Sequence, residues 1–218
     1  MNSLKSYIGK IIEVEISSKK TIVGKLLELG TDLIVLFNGQ QYVYLPLVHL
    51  LSVNKGESSD TEYIIEETAP FEGTQLSLKQ ILTNASGIFV ELFLTGNHIV
   101  HGYIQNVQKD YIVFDSPAFK TMYIPVAHLK WLIPYLNQTP YQIKTGQQIN
   151  SSGESFAQTF EEQMKKSLGK IVLFDLGKDS EKIGILNGVE NVLVELVKGN
   201  GKTIYLNMAH LKSMHEGK

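Results

Sequence analysis

The chain has no cysteine and no arginine; all 20 of its basic residues are lysine. Without cysteine there are no disulfides, no thiolate metal sites and no cysteine nucleophile. Without arginine the chain lacks the side chain best suited to bidentate phosphate and guanine contacts, and lysine alone must supply positive charge. A formal net charge of −2 offers no global field for nucleic acid or an anionic membrane. Long apolar runs are missing as well. The longest, "TDLIVLFNG" and "DYIVF", have strand length and fall short of the roughly 20 residues that a membrane-spanning helix needs. The opening "MNSLKSYIGKIIEVEI" has no apolar h-region, so no secretory signal, no membrane insertion and synthesis in the cytoplasm are expected.

What is present is a phrase written three times. Residues 44–50 read "YLPLVHL", 123–129 "YIPVAHL" and 205–211 "YLNMAHL". The anchors around it recur too. A glycine opens each copy (Gly9, Gly87, Gly169), and a second follows fifteen residues later (Gly24, Gly102, Gly184). The tyrosine comes 20, 21 and 21 residues after that, and the histidine five further on. Recurrence at fixed spacing marks an internal repeat. Within a copy the apolar period is two: Ile12, Val14 and Ile16 alternate with Glu13 and Glu15. Turn residues such as "SSKK", "TGN" and "GKDSE" separate the runs. Four short strands, a tight corner and a fifth strand predict a small barrel of about 50 residues. The mid-strand glycines Gly24, Gly102 and Gly184 fit sharp bends or close backbone approach, and Pro46 and Pro125 fix φ at the corner. A short helical stretch before each barrel is expected to close its end.

The expected fold is therefore all-β: three tandem Sm/SH3-like five-stranded barrels at 1–53, 77–133 and 163–218, with an acidic linker at 54–76 and a polar linker at 134–162. The first linker holds six acidic residues against one lysine, which reads as a solvated connection. "EYIIEE" within it has strand character, and "ESFAQTFEEQMKKSLG" after the second linker has helix character.

The pattern G-x-x-V-x-[VL]-x-x-x-x-x-[IV]-x-G-x-[LI]-x-x-V, an acidic or Asn turn and then "YIPVAHL" resembles a small Bacillus-type repeat domain family of unassigned function. Its members are associated with sporulating bacteria, and some with the spore coat. The resemblance covers about 150 residues, is strongest in the second copy, and weakens in the third, where Asn207 stands for Pro46 and Pro125. It implies a structural protein of the spore surface that acts through self-association or protein partners. "MYIPVAHLKWLIP" is more distantly similar to the second signature of bacterial Sm proteins, and "GKIVLFDLGKDSEKIGIL" to a PRC-type barrel. The Sm likeness implies an alternative, single-stranded RNA binding on aromatic and histidine side chains.

The residues themselves give little chemistry beyond this. One titratable side chain recurs, the corner histidine (His49, His128, His210), and no acidic residue or serine keeps a fixed spacing to it in all copies. Glu91 aligns with Glu13, but Leu173 takes that place in the third copy. No enzyme and no cofactor are expected. His98 and His101 lie three apart, on opposite faces of a strand, and His210 and His215 lack a fixed carboxylate, so no metal site is expected unless the three corner histidines converge. Tyr44, Tyr123 and Tyr205 with the corner histidines are the candidate ligand or interaction residues. Edge strands of small barrels are the natural surfaces for protein partners or self-association, while the missing arginine and the acidic balance disfavour nucleic acid.

Overall fold

A computed structural model describes residues 2–17, 19–56, 69–71, 76–136 and 155–217. The described residues are mostly antiparallel β-sheet with three short α-helices. It divides into two compact units, one of residues 1–100 and 129–140, the other of residues 101–128 and 141–218. Most of both linkers, including "EYIIEE", lies outside the described residues.

The first unit holds α1 (Asn2–Lys5), β1 (Ile11–Ile16), β2 (Lys20–Leu29), β3 (Leu33–Phe37), β4 (Tyr42–Pro46), β5 (Leu50–Lys55), α2 (Leu78–Asn84), β6 (Phe89–Leu94) and the first residues of β7 (His98–Val107). A 3-10 turn at Leu47–His49 makes the corner before β5. In this unit the order is β5-β1-β2-β3-β4, continued by β10 (Leu129–Pro134) and then β6. Its core joins Ile12, Val14 and Ile16 of β1, the alternating residues of the sequence pattern, to Leu26, Ile34, Leu36, Val43 and Leu45. Phe93, Trp131 and Ile133 from the next repeat complete that core.

The second unit holds the rest of β7, β8 (Tyr111–Ser116), β9 (Lys120–Pro125), α3 (Phe160–Lys165), β11 (Ile171–Phe174), β12 (Ile183–Glu190), β13 (Leu193–Val197), β14 (Thr203–Asn207) and β15 (Met214–Glu216). Its order is β7-β8-β9-β15-β11-β12-β13-β14. The corners here are 3-10 turns at Val126–His128 and Met208–His210. The sheets of both units are open.

One bend recurs in every copy. A Cβ placed on Gly24, Gly102 or Gly184 would lie 2.8, 2.0 or 2.6 Å from a carbonyl oxygen of the facing strand, so only glycine fits. Three residues on, the register slips once in each copy, between Leu26 and Glu28, Ile104 and Asn106, and Leu186 and Gly188. A bulge at this point increases local twist and curls the long second strand. The opening glycines Gly9, Gly87 and Gly169 share a left-handed φ of 81, 78 and 78°, where a side chain would be strained.

Candidate interaction surface

In the first two copies the tyrosine of the repeated phrase sits on the fourth strand of its repeat and faces the fifth strand of the next. Leu132 of β10 lies opposite Tyr44 of β4, and Met214 of β15 lies opposite Tyr123 of β9. Both partners stand four residues after their corner histidine. These joints are dry: Tyr44, Leu132 and Met214 are fully buried, and Tyr123 is 7% exposed.

Each joint has a second component with no local signature in the sequence. Eight residues after the mid-strand glycine lies Asp32 in the first copy and Asp110 in the second. Asp32 Oδ1 accepts the backbone N–H of Leu78, the first residue of α2, at 2.8 Å. Asp110 Oδ1 accepts the N–H of Phe160, the first residue of α3, at 2.9 Å. The preceding residue adds a backbone bond in both copies, Thr31 N–H to Leu76 O at 2.8 Å and Lys109 N–H to Gln158 O at 3.1 Å. Helix N-termini leave amide donors unpaired, and these carboxylates hold them. Ser77 and Thr159 set where the helices begin: Ser77 Oγ accepts Gln80 N–H, and Thr159 forms a capping box with Glu162.

The segment before each helix covers the tyrosine side of the joint. Phe71 N–H donates to the Tyr44 hydroxyl at 3.2 Å, with the rings 5.4 Å apart. In the second joint Tyr111 packs edge-on to Tyr123 at 6.1 Å, and its hydroxyl donates to Ala157 O at 2.8 Å. Burial, reinforced by Tyr123 and by the acidic Asp110 and Glu162, pushes the Tyr111 phenol far up, so it stays a donor.

The third copy departs from this scheme. Val192 occupies the aspartate position, with φ 67°, and β14 is an edge strand. Tyr205 is 64% exposed, unlike its two counterparts. It borders a shallow hollow of about 440 Å³ lined by Gly188, Leu193 and Glu195. Glu195 lies opposite Tyr205 where Val35 and Val113 lie opposite Tyr44 and Tyr123.

The three corner histidines occupy three environments. His49 is buried, with Nδ1 3.5 Å from Ser17 Oγ; His128 is half-buried; His210 is exposed. Among the described residues no three His, Asp or Glu side chains gather as metal ligands. Pro46 and Pro125 end β4 and β9 immediately before the corner. Asn207 takes their place by accepting the Ala209 N–H on its side chain at 2.9 Å, which holds the same turn without a fixed φ.

Two charged groups are buried. Asp175, between β11 and β12 with φ 51°, pairs with the amines of Lys182 and Lys212 and accepts the Lys212 N–H at 2.7 Å. Burial alone would raise its carboxyl, but these donors outweigh burial and hold it below the usual range. Lys130 of β10 is buried 5.7 Å from the Phe93 ring, and burial, with Lys20 nearby, lowers its amine. Lys20 lies 4.4 Å over the same ring, which stacks on Trp131 at 3.9 Å. No helix among the described residues is long and apolar enough to cross a membrane.

Residues 159–214 match the family profile described as the YwrJ third domain. The chain is also 39% identical to "Uncharacterized protein YwrJ" of Bacillus subtilis (strain 168), over 99% of either sequence. Identity at that level along the whole length makes this chain a member of the YwrJ family.

Proposed function

We propose that the chain is a non-enzymatic structural protein, a multivalent assembly component of the bacterial spore coat, built from Sm/SH3-like barrel repeats at 1–53, 77–133 and 163–218. The observation that carries this reading is the joint itself. Successive repeats share a sheet by donating a fifth strand to a fourth, with β10 on β4 and β15 on β9. A repeat that offers one strand edge at each end is a building block by construction. Tethering raises the effective concentration of each block for its neighbour. The recurrent glycine and bulge give each repeat the curl that a small barrel requires. Placement at the spore surface rests on the resemblance of the repeat to a family of sporulating bacteria.

The alternative, single-stranded RNA binding, needs accessible rings for base stacking. Two of its three candidate tyrosines are buried in the joints, which favours the assembly reading. A fluorescent fusion made from the native promoter should appear during sporulation and form a shell on the spore. Diffuse fluorescence in growing cells, or salt-dependent binding to poly(U), would overturn the reading.

A further inference from the structure

The joints inside the chain follow one rule. The fourth strand of a repeat takes the fifth strand of the next, and the tyrosine five before the corner histidine faces the residue four after the following one. Applied along the chain, the rule leaves two edges over. β14, the fourth strand of the third repeat, has a neighbour on one side, β13. β5, the fifth strand of the first repeat, has β1. Neither has a second neighbour among the described residues.

We propose that β14 of one copy pairs antiparallel with β5 of a second copy, with Tyr205 opposite Val53, so that chains join head to tail. This rests on the assembly reading and names its partner as the same protein. The register follows from the two internal joints: Val53 is four residues after His49, as Leu132 is after His128 and Met214 after His210. Each chain carries one edge of each kind, which is the condition for a heterologous contact that repeats from copy to copy.

Both edges keep apolar side chains in water. Tyr205 is 64% exposed where its counterparts are buried; Leu51 on β5 is 60% exposed and Val48 at the corner before it 80%. β14 reads "TIYLN", and the proline that ends β4 and β9 is Asn207 here, so it lacks the proline or lysine with which an isolated edge is usually blunted. β5 bulges at Leu51 against β1, as β10 bulges at Lys130 against β6, and that bulge does not stop β10 from pairing with β4. One element of the internal joints is missing. Val192 cannot hold a helix as Asp32 and Asp110 do, so the contact between copies relies on strand pairing and side-chain burial. It is accordingly weaker than the internal joints and reversible, as suits a contact made during assembly.

The absence of cysteine makes the test direct, because any introduced thiol is unique. Residues opposite each other in an antiparallel pair lie roughly 4.5–5.5 Å apart at Cα, within disulfide reach. Full-length Tyr205→Cys and Val53→Cys are purified separately, mixed and oxidised mildly. The mixed disulfide should exceed that formed with Ser52→Cys, whose side chain leaves the opposite face, by about tenfold. The unmodified protein should sediment as two or more copies at about 100 µM, and Tyr205→Lys should shift it towards one. An oligomer whose crosslinks ignore this register overturns the pairing and leaves the assembly reading standing. A strict monomer that still joins the spore surface overturns the pairing alone; a monomer absent from the spore overturns both.

Discussion

Asp175 shows what a buried charge costs and how the third repeat meets that cost. Its carboxylate is almost fully covered, yet Lys182, Lys212 and a backbone amide keep it ionised. Replacing it by Asn should cost about 2 kcal/mol at pH 7, since two lysines lose their shared partner. The folded carboxyl titrates below its ordinary value of 3.8, so this contribution is complete above about pH 4 and fades as pH falls through the depressed value. Urea melts of wild type and Asp175→Asn should therefore converge in acid. His215 works in a higher window. Burial beside Phe119 lowers its pKa from 6.5, so the neutral ring is the form the fold accepts. Stability from this residue is full above about pH 6.5 and is lost as pH falls through the lowered value. His215→Leu should flatten the decline in melting temperature between pH 6.5 and 5. No sequence pattern pointed to either residue. Asp175 aligns with Glu15 in the first copy but with Phe93 in the second, so its acid is not a repeated feature, and the burial of His215 comes from a long-range strand pairing.

At the scale of the element, the bend was legible and the clamp was not. Gly24, Gly102 and Gly184 could be read as curling points because a glycine amid apolar alternation has few other uses. The carbonyl contacts beneath them are the geometry of that reading. Gly102→Ala would drive a Cβ to 2.0 Å from Asp115 O, so it should prevent folding of the second unit or cost several kcal/mol. A circular dichroism melt reads the outcome. Asp32 and Asp110 were visible at equal spacing, but their partners lie 46 and 50 residues away, beyond any local pattern. Asp110→Ala should free the α3 N-terminus at about 1 kcal/mol. The Phe160 amide should then exchange with solvent several-fold faster while β12 and β13 amides keep their protection. Equal protection of Phe160 in the variant would remove the carboxylate from the joint.

At the scale of the whole molecule, strands pair mostly within a repeat, but the repeat legible in the sequence is not the unit into which the chain compacts. Copy two contributes β10 to the first unit and β9 to the second. The sequence could mark both strands by their alternation, but period two assigns faces, not neighbours. Each edge chosen across repeats had to be seen in space. The consequence can be measured by cutting the middle repeat out. A fragment of residues 77–133 keeps β6 to β10 but loses β4, which covers Leu132, and β15, which covers Tyr123. It also loses Phe160, which packs 6.1 Å from Tyr111. Such a fragment carries both halves of a joint on one short chain, a fourth strand and a fifth strand with nothing between them but a corner. Burial of those faces is the main favourable term available to it, and another copy is the only source of that burial. The fragment should therefore polymerise or precipitate at micromolar concentration, while the full chain at equal concentration stays soluble. Replacing Leu132 and Tyr123 together by Lys should restore solubility and lower stability, because charged edges repel the pairing that the isolated repeat otherwise seeks. A soluble, folded, monomeric fragment 77–133 would show instead that each barrel closes on its own and that the joints are secondary to it.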